Sequence, residues 1–93
     1  MAEVAWSISA LDDLEAICQY IERDSPRQAV LFAERVFGAV GRLAGFPRSG
    51  RIVPELSRDD VREIIFDRYR VIYRLSGERV EVIMVHHAMR RLP

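Results

Sequence analysis

The sequence predicts an α+β domain with the element order β-α-α-β-β-β, in which an antiparallel helical hairpin packs on one face of a mainly antiparallel sheet. Apolar residues recur at spacings of three and four through residues 11–43, which is the period of amphipathic helices. After residue 60, short runs of alternating polar and apolar residues indicate strands instead. The 93 residues form one domain, 1–93, and leave no room for a second.

The N-terminal quarter predicts a strand followed by a helix. Polar and apolar residues alternate over residues 3–8, which indicates a short strand. Ser9 is expected to cap the helix, because Asp12 follows three positions later and a carboxylate favours a helix N-terminus. The helix is expected to end at about Arg23. Its apolar stripe comprises Leu11, Leu14, Ile17, Cys18 and Ile21.

A second helix is predicted after a tight linker, which makes the two helices an antiparallel hairpin. Ser25 is its expected N-cap, Pro26 occupies the first helical position, and Gln28 completes a capping box. Gly45 is the expected C-terminal stop, supported by Pro47. The apolar stripe of this helix comprises Ala29, Phe32, Ala33, Val36, Phe37, Val40 and Leu43.

The C-terminal half predicts a loop and three strands. Residues 46–60 are interrupted by prolines and polar residues and read as a loop, with a short extended piece at 51–53. Turn residues separate three strand candidates, which are 61–66, 69–75 and 80–86 or 80–87. The last strand is apolar on both faces near its middle and is therefore expected to lie inside the sheet.

A core shared by the hairpin and the sheet follows from the inward positions of these elements. Truncation of Phe37 to alanine is expected to cost about 3–5 kcal/mol, because its ring is placed in this core. The expected members are Trp6, Leu14, Ile17, Ile21, Phe32, Val36, Phe37, Val40, Val71, Tyr73, Val82 and Met84.

Several classes of site are excluded by the residues present. The single cysteine, Cys18, lies on an apolar stripe and predicts a core thiol, not a disulfide or a four-cysteine zinc site. His86 and His87 are neighbours in a strand, so they are expected to face opposite sides and to bind no metal ion together. No glycine-rich phosphate loop, membrane span or secretory signal is recognisable, so no cofactor, no membrane partner and a cytoplasmic location are expected.

The charges are balanced in number but not in distribution. All 14 basic residues are arginines, against 14 acidic residues. Residues 1–40 carry seven acids and three arginines, whereas residues 41–93 carry eleven arginines and seven acids. A basic C-terminal half favours an acidic protein partner or a nucleic acid, and the charge alone chooses neither.

The arginines of the predicted sheet have two interpretations. Arg70 and Arg74 share a strand face with Ile72, and converging arginines suit a phosphate or carboxylate site. The alternative is a solvated face on which arginines pair locally with the acidic residues Glu63, Glu78 and Glu81.

Five segments of the sequence, taken together, carry a resemblance to a known protein family. They are Asp13-Leu14…Ile17…Tyr20-Ile21, Pro47-x-x-Gly50-Arg51, Val61-Arg62-Glu63, Tyr69-Arg70-Val71-Ile72-Tyr73-Arg74, and Val85-His86-His87 before Arg90. Their order and spacing, from about Val4 to Arg91, resemble the RelE/ParE superfamily of type II toxins. The resemblance implies a small cytoplasmic toxin neutralised by a cognate antitoxin, whose acidic C-terminal segment folds across it. Operator DNA is then contacted only indirectly, through the antitoxin.

The two branches of this superfamily imply different activities. RelE-type toxins cut messenger RNA on the ribosome, and if this chain were such a ribonuclease its catalytic residues would be Arg62, Arg70 and Arg90. Ile64 stands where a second lysine is expected, the chain ends at Pro93 before a terminal tyrosine, and arginine cannot act as a general base near neutrality.

ParE-type toxins share the fold, lack that catalytic set and trap DNA gyrase on cleaved DNA. The long helical hairpin and the Pro-x-x-Gly-Arg loop resemble this branch, so a non-enzymatic gyrase inhibitor is expected. The alternatives are a RelE-like ribosome-dependent ribonuclease, a toxin with another target, and a degenerate module that only binds its partner. The expected antitoxin contacts are Arg51, Arg62, Arg70, Arg74 and Arg90.

Overall fold

A computed structural model describes residues 1–93 and has the predicted element order, and the short extended piece predicted at residues 51–53 forms a two-residue strand. Two helices pack on a five-stranded sheet of order β1-β5-β4-β3-β2. β1 runs parallel to β5 and every other neighbouring pair is antiparallel. The elements are β1 Glu3–Trp6, α1 Ile8–Glu22, α2 Pro26–Gly41, a 3₁₀ turn Arg42–Ala44, β2 Arg51–Ile52, β3 Val61–Phe66, β4 Tyr69–Ser76 and β5 Arg79–His87.

The first helix begins two residues before the predicted position. Ser7, and not Ser9, is its N-cap, because the Ser7 backbone is extended and its hydroxyl accepts the Ala10 N–H at 3.0 Å. The Ser7 N–H still donates to the Val82 carbonyl at 2.9 Å, as a continuation of β1. The Ser7 carbonyl accepts the Leu11 N–H at 3.1 Å. The chain therefore passes from strand to helix at one residue, and all three polar groups of that residue are satisfied.

The second helix confirms the predicted cap. Ser25 is the N-cap, its hydroxyl accepts the Gln28 N–H at 3.1 Å, and Pro26 occupies the first helical position. The capping box is only half formed, because the Ser25 N–H donates to the Ile21 carbonyl at 3.0 Å instead of to the Gln28 side chain. Gly45 closes the 3₁₀ turn with φ of −91°, so it ends the helix without the left-handed conformation typical of a glycine stop.

The main core lies between the helices and the sheet. Val36, Tyr73 and Val82 are fully buried in it, as predicted, but Phe37 is 46% exposed and is not a core residue. Phe37 instead packs at the margin against Trp6, with ring centroids 5.0 Å apart. The buried members of this core are Ala10, Leu14, Phe32, Val36, Val40, Leu43, Val71, Tyr73, Val80, Val82 and Val85.

A β-bulge explains why Met84 is also absent from the main core. Tyr73 pairs with Val82 and Ile72 pairs with Met84, so Ile83 is an extra residue on β5. The alternation of β5 therefore reverses at this point, and the helix side passes from Val82 to Val85. Met84 packs instead on the opposite face of the sheet, in a second cluster to which the helices contribute nothing.

Neither helix is long and apolar enough to cross a membrane.

Candidate functional site

The face of the sheet away from the helices, hereafter the helix-free face, carries a buried charge network. Its apolar base is the second cluster, in which Val53, Val61 and Ile72 are buried. The chain after β2 folds back over this face and brings Glu55 to Arg70, a residue 15 positions away. Charged groups of three different elements thus meet above a small apolar patch.

Glu63 is the centre of this network. Its side chain is fully buried, and its two carboxylate oxygens accept hydrogen bonds from Arg70 Nε at 2.6 Å and Arg51 Nε at 2.5 Å. Arg51 and Glu63 are direct cross-strand partners, so the β2–β3 pairing itself places this contact. A buried carboxylate needs such partners, because an unpaired charge in the interior is strongly destabilising.

Arg70 has all its charge-bearing groups engaged. While Nε binds Glu63, Nη1 and Nη2 donate to the two carboxylate oxygens of Glu55 at 2.6 and 2.8 Å, and the arginine side chain is 6% exposed. The hydrogen bond to Glu55 is the main reason that the pKa of Arg70 lies above its usual range. The same hydrogen bond stabilises the ionised carboxylate and lowers the pKa of Glu55 to about 2. This bidentate pair is the geometry that arginine adopts with phosphate as well as with carboxylate.

Arg62 lies on the other face, under the loop that precedes β2. Its guanidinium donates to the backbone carbonyls of Arg48 and Gly50 at 3.1 and 3.0 Å and to the Asp59 side chain at 2.8 Å. The Tyr73 hydroxyl accepts the Gly50 N–H at 2.9 Å, and burial is the main cause that raises the pKa of this phenol. Arg62 therefore holds the Pro-x-x-Gly-Arg segment in place.

Gly50 is required by this packing. A Cβ at that position would lie 2.6 Å from the Tyr73 hydroxyl and 2.7 Å from the Glu63 carbonyl oxygen, which is closer than real Cβ contacts come. The glycine of the recognised loop thus has a steric function beneath β3 and β4.

The remaining predicted arginines are accessible. Arg51 and Arg74 keep about half or more of their side chains exposed while pairing with Glu63 and Glu81. Arg90 is exposed and has no carboxylate partner. Local pairing with a carboxylate is thus observed for four of the five predicted arginines, all except Arg90, and the five residues do not form one cationic surface.

A cleft of about 490 Å³ opens between α1 and the end of β5. It exists because β1 stops at Trp6, which leaves this part of β5 without a strand neighbour on one side. Asp13 of α1 takes the place of the missing strand neighbour, since its carboxylate accepts the Val85 N–H at 3.0 Å. The cleft is lined by Asp13, Ala16, Ile17, Tyr20, Arg68, Tyr69, Val85, His86, His87 and Arg90.

Each histidine at the end of β5 has one ring nitrogen fixed by the backbone. His87 Nδ1 accepts the Met89 N–H at 3.1 Å, which places the proton of the neutral ring on Nε2. His86 Nε2 lies 2.8 Å from the Arg91 carbonyl oxygen and must carry the proton there. The ring of Tyr69 packs edge-on against His87, with centroids 5.5 Å apart.

The comparisons with known proteins agree on one family. Residues 4–92 match the family described as ParE toxin of type II toxin-antitoxin system, parDE. The chain belongs to the ParE toxin family. Toxin RelE2 of Caulobacter vibrioides is 34% identical over 90 residues, which cover 97% of this chain and 99% of that protein. Putative toxin Y4kP of Sinorhizobium fredii is 35% identical over 91 residues, covering 97% and 92%.

Solved structures show the same fold. A chain of the chromosomal ParDE system from P. aeruginosa superposes with a TM-score of 0.76 at 20% identity, covering 94% of this chain and 96% of that one. The YoeB/ParE toxin from Agrobacterium tumefaciens gives a TM-score of 0.61 at 22% identity, covering 91% and 96%. The chain is therefore a type II toxin of the ParE/RelE superfamily, as its sequence motifs indicated, and membership of that class implies a cognate antitoxin.

Two parts of this ParE-family structure were not anticipated from the sequence. Glu55 stands in a predicted loop with no periodicity, and nothing local signals its contact with Arg70. The cleft beside α1 exists because β1 ends at Trp6. The sequence pattern predicted a strand as far as residue 8, and an error of two residues at the end of a strand is enough to hide the cleft. The one available signal was Glu63, an acidic residue on a predicted strand that the solvated-face interpretation pairs with the arginines of the sheet.

Proposed function

We propose that this toxin is a ParE-like inhibitor of DNA gyrase that cuts no nucleic acid itself. The observation that carries the proposal is the engagement of Arg70 by Glu63 and Glu55. A ribonuclease mechanism would require the Arg70 guanidinium to bind a phosphate of the RNA. Moving it there would leave the buried Glu63 carboxylate with Arg51 as its sole partner, at a cost of several kcal/mol.

The other two members of the ribonuclease set support the same proposal. Arg62 is occupied by two backbone carbonyls and the Asp59 carboxylate, so it serves the loop and not a ligand. Ile64, at the position where a second cation is expected, packs against the apolar core. Only Arg90 remains free, and one arginine stabilises charge without supplying a base or an acid.

The histidines do not complete a ribonuclease site. His87 Nδ1 is occupied by the Met89 N–H, so the neutral ring presents a donor and has no lone pair free to take a proton. His86 keeps Nδ1 free, but its cross-strand partner is Arg70, whose charge is already matched by two carboxylates. The His86 side chain lies with Arg70 on the helix-free face, where that guanidinium is engaged by carboxylates, so a base at His86 has no free cation on its face to stabilise the charge that develops during attack by a 2′-hydroxyl.

The experiment that separates the two functions is expression without antitoxin, with both targets followed in the same cells. The proposal predicts a DNA-damage response and filamentation while ribosome-bound transcripts stay intact. Transcripts cut at codon-related positions, with chromosomal DNA undamaged, would assign the RelE-like activity instead. The cytoplasm, where gyrase and an antitoxin encoded in the same operon reside, is the proposed location.

We further propose that the acidic C-terminal segment of the antitoxin contacts the exposed arginines Arg51, Arg74 and Arg90. Arg62 and Arg70 are the weaker members of the expected set, because their side chains are only 13% and 6% exposed, whereas those of Arg51 and Arg74 are 59% and 52% exposed. Operator DNA is bound, in this proposal, through the antitoxin alone.

Co-purification with the product of the adjacent short reading frame tests the partner. The double change Arg74→Gln and Arg90→Gln should weaken the complex at least tenfold, because two charge-assisted contacts are lost while the buried Glu63 carboxylate keeps both of its arginine partners. The matched control is Arg23→Gln with Arg27→Gln, which removes the same charge from exposed arginines at the hairpin linker. Equal weakening by both pairs would reduce the effect to net charge, and no complex at moderate salt would contradict the pairing.

A further inference from the structure

We propose that the cleft between α1 and the end of β5 binds the phosphate of a nucleotide. The proposal is independent of the gyrase assignment, because the cleft lies on the helix side of the sheet while Arg70 lies on the helix-free face. Its volume of about 490 Å³ falls within the usual range for small-ligand sites.

Unpaired cations meet in this cleft, although most arginines of the C-terminal half are paired. Arg48, Arg51, Arg58, Arg62, Arg70, Arg74 and Arg79 each have a carboxylate within 4.0 Å. Arg68 and Arg90 have none, and both line the cleft. Two guanidinium groups that are free of carboxylates and open to one cavity are the recognition chemistry for phosphate.

The neighbouring groups are donors of the kind that a phosphate accepts. Because its Nδ1 is held by the Met89 N–H, His87 has its proton on Nε2 and lines the cleft as a hydrogen-bond donor. Burial is the main cause that raises the pKa of Tyr69, and the charge of Asp67, the neighbour of Arg68 in the β3–β4 turn, raises it further, while the charges of Arg68 and Arg90 act to lower it. Tyr69 is therefore within electrostatic reach of both arginines. The neutral Tyr69 hydroxyl is therefore a further donor.

The single carboxylate of the cleft is already committed. Asp13 accepts the Val85 N–H at 3.0 Å, in the place of the strand that β1 does not provide. Asp13 therefore holds α1 against β5. The cations of the cleft come from other parts of the chain, since Arg68 lies in the β3–β4 turn and Arg90 lies after β5.

The rest of the cleft suits a base and not a bare anion. Tyr20 is 66% exposed at the rim, and Ala16 and Ile17 of the same helix provide an apolar wall. An exposed aromatic ring stacks on any base without reading its sequence, at about 1–3 kcal/mol per base. A nucleotide with its phosphate toward Arg68, Arg90 and His87, and its base toward Tyr20, uses both parts of the cavity.

Calorimetric titration of the full chain with adenosine 5′-monophosphate tests the site. Adenosine, inorganic phosphate and a 5′-phosphorylated trinucleotide serve as comparison ligands. The proposal predicts saturable binding of the monophosphate, at least tenfold tighter than either adenosine or phosphate. Tighter binding of the trinucleotide would assign the site to the end of a strand, and equal binding would assign it to a free nucleotide; both outcomes support a nucleotide phosphate site.

Variants locate the binding. Arg90→Gln and His87→Gln should each weaken the monophosphate about tenfold or more, and Tyr20→Ala should weaken it while leaving inorganic phosphate unaffected. Arg91→Gln is the matched control, since Arg91 is the exposed neighbour of Arg90 and does not line the cleft. Thermal melting of each variant establishes that the fold is kept. No saturable binding at millimolar monophosphate, or equal losses for Arg90→Gln and Arg91→Gln, would overturn the proposal.

Discussion

The terminal nitrogens Nη1 and Nη2 of Arg70 donate hydrogen bonds to the two carboxylate oxygens of Glu55 at 2.6 and 2.8 Å, and this contact holds the segment after β2 against the middle of the sheet. The same arginine donates its Nε to the buried Glu63 carboxylate. In this chain, therefore, the guanidinium that the RelE-like interpretation assigns to catalysis is hydrogen-bonded to two carboxylates.

Replacing Arg70 by alanine should destabilise the protein by about 3–5 kcal/mol, because it leaves the buried Glu63 carboxylate half unpaired. Chemical denaturation measures this change. The control is Arg74→Ala, which breaks the exposed pair with Glu81 and should cost at most about 1 kcal/mol. Equal small losses for both variants would mean that the buried network contributes nothing to stability.

The stability of the protein should fall on acidification through the titration of Glu55. Its pKa is lowered from about 4.5 to about 2 by the hydrogen bond from Arg70, so the folded state binds this proton less readily than the unfolded state. The stabilisation is complete above the unfolded value and is lost as the pH falls from about 4.5 to about 2. Thermal melting across this window should show a shallower slope for Glu55→Gln, while Glu78→Gln, which removes an exposed unpaired carboxylate, should follow the parent.

Two phenylalanines of α2 should respond very differently to truncation. Phe32 is buried in the main core and its change to alanine should cost about 3–5 kcal/mol. Phe37 is 46% exposed, so Phe37→Ala should cost no more than about half as much, through lost contact with Trp6. Equal losses in melting temperature would place Phe37 in the core after all.

Gly50→Ala should destabilise the protein by about 1–3 kcal/mol, because the new Cβ would press on the Tyr73 hydroxyl and the Glu63 carbonyl. Tyr73→Phe removes that hydroxyl and should recover part of the loss. A double-mutant cycle measured by denaturation gives the coupling between the two positions. Strictly additive losses would show that the glycine and the tyrosine do not meet.

Local patterns predicted the elements well. β3 has the predicted bounds, β4 is longer by one residue, and the Ser25–Pro26 start of α2 follows from capping chemistry that acts within one turn. Ser9 was wrong because two serines stand two positions apart and only the sheet decides which one faces the first turn. The choice depends on the hydrogen bond from Ser7 to Val82, 75 positions away.

Face assignments were less predictable, because one extra residue reverses them. The bulge at Ile83 moved Met84 to the helix-free face, and a period-two pattern carries no mark of it. The partners of the arginines were hidden for a related reason. Glu55 meets Arg70 only after the chain has folded back from β2, so neither spacing nor charge composition reveals that the guanidinium is occupied.

Incubation of the purified toxin with DNA gyrase and supercoiled plasmid tests the central claim most directly, with translating ribosomes and messenger RNA as the parallel reaction. The account predicts that protein-linked cleaved plasmid accumulates with toxin and disappears when the antitoxin is added, while the messenger RNA stays whole. Cleaved messenger RNA on the ribosome, with gyrase and plasmid unaffected, would contradict the account and return Arg62, Arg70 and Arg90 to a catalytic role.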